Sequence, residues 1–150
     1  MWWVMSIEQL LARAALVCQQ REVRFTPTRQ NVFCLMAQHK GAISAYDLLE
    51  QLKTLEPNAK PPTVYRALDF LLTQGFVHKV ESLNAFLFCE HFDEHHPMQL
   101  LICNDCGLVI ELHDAAINSA FEQQALLHGF AIINQSIEAH GRCQQCSSAA

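Results

Sequence analysis

The tightest constraint in this 150-residue chain is a matched set of cysteines: Cys103-Asn104-Asp105-Cys106, followed by Gly107, and Cys143-Gln144-Gln145-Cys146. Two residues between cysteines let both sulfurs reach one ion across a tight turn, and two such pairs complete a tetrahedral zinc site. Residues 107 to 142, 36 in all, separate Cys106 from Cys143, more than a usual zinc-ribbon spacing. A strand, a helix and a strand fit in that interval, so the second pair is able to return beside the first. Gly107 offers the backbone freedom such a turn often needs. Four thiolates leave no open coordination position, so Cys103, Cys106, Cys143 and Cys146 are expected to hold a structural zinc that senses nothing. A single Cys-x2-Cys also reads as a thioredoxin-like redox motif. Two pairs in so small a chain, neither at a helix start after a first strand, favour the metal.

Hydrophobic residues make up 51% of the chain, enough for a real core without disulfides. Seven cysteines, an odd number, argue against full pairing. Cys18 and Cys34 fall within apolar helical runs and are expected in the core. No run approaches the roughly 18 apolar residues of a membrane span. Met1-Trp2-Trp3-Val4-Met5 has neither basic flank nor cleavage site and reads as a ragged start before an initiator at Met5. A cytoplasmic protein is expected. The net charge of −5 divides unevenly: residues 1–89 carry nine Lys and Arg against seven acids, residues 90–150 one Arg against eight. The first part, at +2, is able to face phosphates; the second, at −7, is not.

Ile7, Leu10, Leu11, Ala14, Val17 and Cys18 form a stripe at helical spacing. Thr26-Pro27 starts a second helix, running to about Gln38. Ser44-Ala45-Tyr46-Asp47 resembles a capping box and leads Leu48, Leu49, Leu52 and Leu55 into a third, ended by Pro57. Pro61-Pro62-Thr63 opens a fourth, which reaches Gln74 and stops at Gly75. Val64, Leu68, Leu71 and Leu72 make its core face, leaving Tyr65, Arg66 and Asp69 elsewhere. Phe76 to Val80 and Ala85 to Cys89 read as a hairpin around Glu81-Ser82-Leu83-Asn84. Helices followed by a hairpin make a winged helix, expected over residues 1–89. Glu90 to Pro97, with His91, His95 and His96, reads as a hinge that supplies ligands. Over 98–150, strands at Leu100–Cys103, Leu108–Glu111 and Phe130–Ala139 and a helix from Asp114 to His128 predict a small α/β unit, making the chain α+β.

Thr26-Pro27-x-Arg29, Ile43 to Leu48, Pro61 to Leu68, Gly75-Phe76-Val77 and the two cysteine pairs together resemble the ferric uptake regulator superfamily over nearly the whole chain. Lys60 to Glu81, with Cys89 close to the hinge, looks most like its zinc uptake regulator branch. The resemblance implies a dimeric, metal-activated repressor that binds double-stranded DNA, with 98–150 as the dimerisation domain. It also implies a regulatory ion held by His78, Cys89, His96 and Glu111, with His95 competing with His96. A mixed sulfur, nitrogen and oxygen set suits zinc, whereas iron or manganese sensors more naturally use imidazole and carboxylate. The superfamily often carries a histidine four residues before the first cage cysteine; Gln99 stands there, so two zinc ions per subunit are expected.

On the helix from Pro62, Arg66 is the best candidate for a base contact, because a guanidinium matches guanine bidentately, and Tyr65 is suited to a thymine methyl or a phosphate. The resemblance also places Tyr46 at the DNA. Arg29, Lys60 and Lys79 are expected phosphate contacts on an inverted-repeat operator. Glu50 and Lys53 sit three apart on an exposed face, a local pair that would also suit a contact between two dimers on neighbouring sites. The rival readings are the same fold sensing iron or peroxide, a thiol redox protein, and a zinc enzyme. An enzyme is not expected, since neither donor set leaves an open position.

Overall fold

The computed structural model describes residues 5–94 and 96–149; the opening Met1–Val4 and His95 lie outside the described residues. The chain divides into two compact units, Met1–Glu94 and His95–Ala150. The division falls inside the segment expected as a hinge.

The first unit begins with helix α1 (Ile7–Gln20), α2 (Pro27–Gln38), α3 (Ala45–Leu52) and α4 (Pro61–Thr73). Their starts follow local chemistry. Ser6 and Gln9 close a reciprocal capping box on α1. The Thr26 hydroxyl accepts from Arg29 N–H with Pro27 behind it, and Ser44 accepts from Asp47 N–H. The third helix stops at Leu52, short of the expected Leu55, which is left 55% exposed. Leu55 N–H turns back to the Leu52 carbonyl and the Thr54 hydroxyl donates to the Gln51 carbonyl, so the last turn tightens before Pro57 acts.

Strands β1 (Val77–Val80) and β2 (Ala85–Phe88) pair antiparallel, His78 opposite Leu87. A short 3-10 turn (Glu81–Leu83) and left-handed Asn84 join them, a conformation Asn tolerates. The buried cluster gathers one face of every helix, from Leu10 and Ala14 through Val32, Leu48 and Val64 to Leu71. At its centre the Phe33 ring meets Phe76, Phe88 and Phe92 edge-on, at 5.5, 5.2 and 5.9 Å between centroids. Cys18 is buried and Cys34 partly so, and burial holds both thiols above their ordinary range.

Residues 90–93 are not loose. Phe92 is buried in the cluster, and Arg13 of α1 lies over its ring at 4.6 Å while donating to the Glu90 carbonyl and pairing with Asp93.

The second unit contains β3 (Met98–Cys103), β4 (Val109–Glu111), α5 (Ala115–Leu127), β5 (Ser136–Gly141) and a short α6 (Gln144–Ser148). The sheet order is β4-β3-β5, with β4 antiparallel and β5 parallel to β3. Phe130 to Gln135, expected as strand, is not one. The ladder opens only at Met98↔Ser136, so the apolar residues before it find no partner edge, and Phe130 and Ile133 stay exposed.

Candidate metal centres and nucleic-acid interface

The parallel crossover explains the cysteine cage. Because β5 runs alongside β3 in the same direction, Cys103 registers with Gly141, and both strands deliver their cysteines to one end of the sheet. Gly107 adopts a φ of +76° and donates its N–H to the Cys103 carbonyl, closing the turn that returns Cys106. Asn104 N–H binds the Gly141 carbonyl, stitching the two cysteine loops together. The second pair differs from the expected bare turn: Cys143 is the N-cap of α6. It thus sits at a helix start, although after the last strand of the chain rather than the first.

All four sulfurs lie within 4.8 Å of one another, and Cys106 and Cys143 are 3.8 Å apart. Tetrahedral Zn–S bonds of about 2.3 Å require sulfur separations of about 3.8 Å, so the cage fits zinc. The thiols also respond to one another. Backbone N–H groups, Cys143 first, pull Cys103 down to about 6, whereas hydrogen bonding with the Cys143 side chain, more than any other neighbour, pushes Cys146 up to about 12. Four crowded sulfurs do not all ionise without a cation among them.

The remaining expected ligands are found as two pairs, one in each unit. In the first unit, the hairpin brings the His78 ring and the Cys89 sulfur within 4.8 Å, with Cys89 N–H bonded to the Phe76 carbonyl one rung beyond the ladder. Cys89 is fully buried. In the second unit, His96 Nδ1 lies 3.9 Å from Glu111 Oε1, both side chains mostly covered. His113, which no motif singles out, stands 4.0 Å from the same carboxylate oxygen and edge-on to His96. Imidazole and thiol in the first pair, and imidazole and carboxylate in the second, are all donors that zinc accepts.

On α4, Val64, Ala67, Leu68 and Leu71 face the core, leaving Tyr65, Arg66 and Asp69 exposed; Leu72 is only partly covered. Tyr46, in the first turn of α3, is 71% exposed. Lys60 caps α4 from outside, its N–H bound by the Thr63 hydroxyl. Lys79 pairs with Glu81 at 3.6 Å. Arg29 is more committed: it donates to the Arg24 carbonyl and lies 4.0 Å over the Phe70 ring. Glu50 and Lys53 pair at 2.8 Å on the exposed side of α3.

The ferric uptake regulator family model matches residues 20–140. The chain belongs to the ferric uptake regulator family. Within the family it is 51% identical over 142 residues to the zinc uptake regulation protein of Escherichia coli, covering 94% of this chain and 83% of that protein. It superposes at a TM-score of 0.91 on a zinc uptake regulator complexed with zinc and DNA, at 49% identity over 97% of this chain and 98% of that one. With holo XcZur the TM-score is 0.84 at 39% identity, covering 95% and 99% of the two chains. As a family member the chain has the expected architecture, a helical DNA-binding part followed by a small α/β part.

Proposed function

We propose that this chain is a zinc-responsive, DNA-binding transcriptional repressor that controls genes of zinc uptake and homeostasis, acting in the cytoplasm as a homodimer with two zinc ions per subunit. Support comes from the relatives described above, one named a zinc uptake regulation protein and another a zinc uptake regulator complexed with zinc and DNA. The observation that carries the metal assignment is the buried Cys89 thiol beside His78, because a thiolate donor favours zinc over iron or manganese.

The cage of Cys103, Cys106, Cys143 and Cys146 holds the structural ion. His78 and Cys89, with His96 and Glu111, hold the regulatory one. A bound ion would supply the positive charge that holds the Cys89 thiol and the Glu111 carboxyl ionised beside the two imidazoles. DNA affinity would be linked to zinc because the ion binds the DNA-competent state more tightly than the other. Two α4 helices of a dimer would then address major grooves about 34–36 Å apart on an inverted repeat. Arg66 reads bases, Tyr65 packs on a thymine methyl or holds a phosphate, Tyr46 meets the DNA, and Lys60, Lys79 and Arg29 face phosphates. Glu50 and Lys53, exposed on α3, exchange partners between two dimers on adjoining sites.

Exposed Phe121, Leu126, Leu127, Phe130 and Ile133 give the second unit an apolar surface, and a second copy of the chain is its occupant. Among the described residues no helix is long and apolar enough to cross a membrane. A regulator rather than an enzyme is favoured because four protein donors per ion leave no position for substrate.

The reading is tested by titrating metal into protein stripped of its regulatory ion in the presence of an inverted-repeat DNA library. Zinc is expected to restore tight binding, with iron(II) and manganese(II) failing. Restoration by iron or manganese instead would move the assignment to an iron- or peroxide-responsive member of the same fold.

A further inference from the structure

Among the described residues, Gln99 on β3 is the one buried polar side chain, 2% exposed inside an otherwise apolar strand. A buried amide is tolerated only when its donors and acceptor find partners. Gln99 finds them in the backbone and in other amides. Its Nε2 donates to the Asp114 carbonyl at 3.1 Å and to Asn118 Oδ1 at 2.7 Å, and its Oε1 accepts from Asp114 N–H at 3.4 Å. Asn118 Oδ1 also accepts from Gln135 Nε2 at 3.1 Å. One side-chain amide therefore grips both backbone groups of Asp114, as a neighbouring strand would, while Asn118 and Gln135 brace it from α5 and from the approach to β5.

The position of this clamp matters more than its strength. The β3–β4 ladder ends at Leu100↔Glu111, and the Leu112 N–H to Gln99 carbonyl bond, 2.8 Å, adds a rung. The Gln99 side chain holds the chain again at Asp114. His96 lies three residues before Gln99, and Glu111 three before Asp114. The amide cross-link thus ties together the two segments that carry His96 and Glu111, whose ligating atoms lie 3.9 Å apart.

We infer that Gln99, supported by Asn118 and Gln135, is a positioning residue of the regulatory zinc site: a neutral amide clamp that presents Glu111 and His96 together. The inference rests on the ligand assignment made above. Amides suit the task, since directional donors and acceptors on one side chain fix geometry at several points at once. Partners of this outer kind typically change metal affinity by about 10- to 100-fold when lost.

The test uses the full-length protein with its cage zinc in place, measuring the affinity of the second zinc by chelator competition. Gln99→Met and Asn118→Leu keep bulk but lose hydrogen bonds, and each is expected to weaken that zinc by about tenfold or more. Asn118→Asp keeps an oxygen acceptor for both neighbouring amides and is expected to restore affinity close to that of the unmodified protein. A role confined to stability would lower the unfolding temperature and leave zinc affinity unchanged; that result for Gln99→Met and Asn118→Leu overturns the proposal. If those two fail to fold, Gln135→Ala removes a single outer donor, and unchanged zinc affinity there overturns it equally. Glu111→Ala separates the ligand assignment from the clamp. Should it leave the second zinc bound, the ligand assignment falls and the clamp with it; should it release the zinc while Gln99→Met does not weaken it, only the clamp falls.

Discussion

Arg66 on α4 and Lys79 on β1 are both cations proposed to meet DNA, yet their chemistry predicts different defects. Arg66 stands on α4 among exposed residues, able to present a planar fork to a base edge. Arg66→Ala is expected to cost about 1–3 kcal/mol of operator binding and to relax base preference. Lys79→Ala is expected to weaken all sequences alike and lower the salt slope by about 1 or less, because Glu81 already shares its charge. Fluorescence anisotropy over a salt series, with operator and scrambled DNA, separates the two. Arg29 belongs to a third category: stacked on Phe70 and bonded to the Arg24 carbonyl, it ties the start of α2 to α4 as well as carrying charge.

Among the elements, the segment after β2 best shows how packing overrides local pattern. Residues 90–93 have no periodicity and resemble a free connector, but Phe92 fills the aromatic cluster and Arg13 grips the chain on both sides of it. Cys89 is thereby followed by anchored rather than mobile backbone. Arg13→Ala is expected to destabilise the protein by about 1–2 kcal/mol through lost cation–π and hydrogen bonds. Asp93→Ala is expected to cost under about 1 kcal/mol, since that carboxylate is half exposed. Urea unfolding followed by helix signal measures both. An Arg13→Ala protein with unchanged midpoint would mean that Phe92 alone holds the segment.

At the scale of the molecule, the two units differ in what sustains them. Among the described residues, the large buried cluster, Leu10 to Phe92, lies in the first unit, whereas the second buries only a short run of β3. A unit with so little core of its own depends on its metal. Cys146→Ser is therefore expected to cost both the cage zinc and the fold of the second unit, while Cys89→Ser leaves a folded protein that binds operator weakly whatever the zinc level. Circular dichroism with zinc quantitation distinguishes the outcomes. Zinc binding to the cage also releases protons. With its pKa lowered to about 6, Cys103 is already a thiolate at neutral pH and contributes none there, whereas Cys146, pushed up to about 12, contributes one. As pH falls through about 6, Cys103 must also give up a proton, so release rises by about one and affinity drops more steeply. Calorimetry in buffers of different ionisation enthalpy reads that number, and a constant release from pH 5 to 8 would contradict it.

The sequence by itself determined what depends on a few neighbouring residues. Thr26 and Ser44 mark helix starts because a hydroxyl caps within its own turn, and Gly107 marks the cage turn because its φ is left-handed. Cysteine spacing was enough to name the cage. Tertiary structure decided what depends on register. His78 meets Cys89 because the hairpin pairs Val77 with Phe88, and the two cysteine pairs meet because β5 crosses over to run parallel with β3. Asn118, Gln135 and His113 carry no local signal, because their partners are set by strand order and helix placement. Phe130 to Gln135 makes the same point from the other side. Its composition suits a strand, but a strand exists only against a free edge, and β3 takes up β5 only from Ser136.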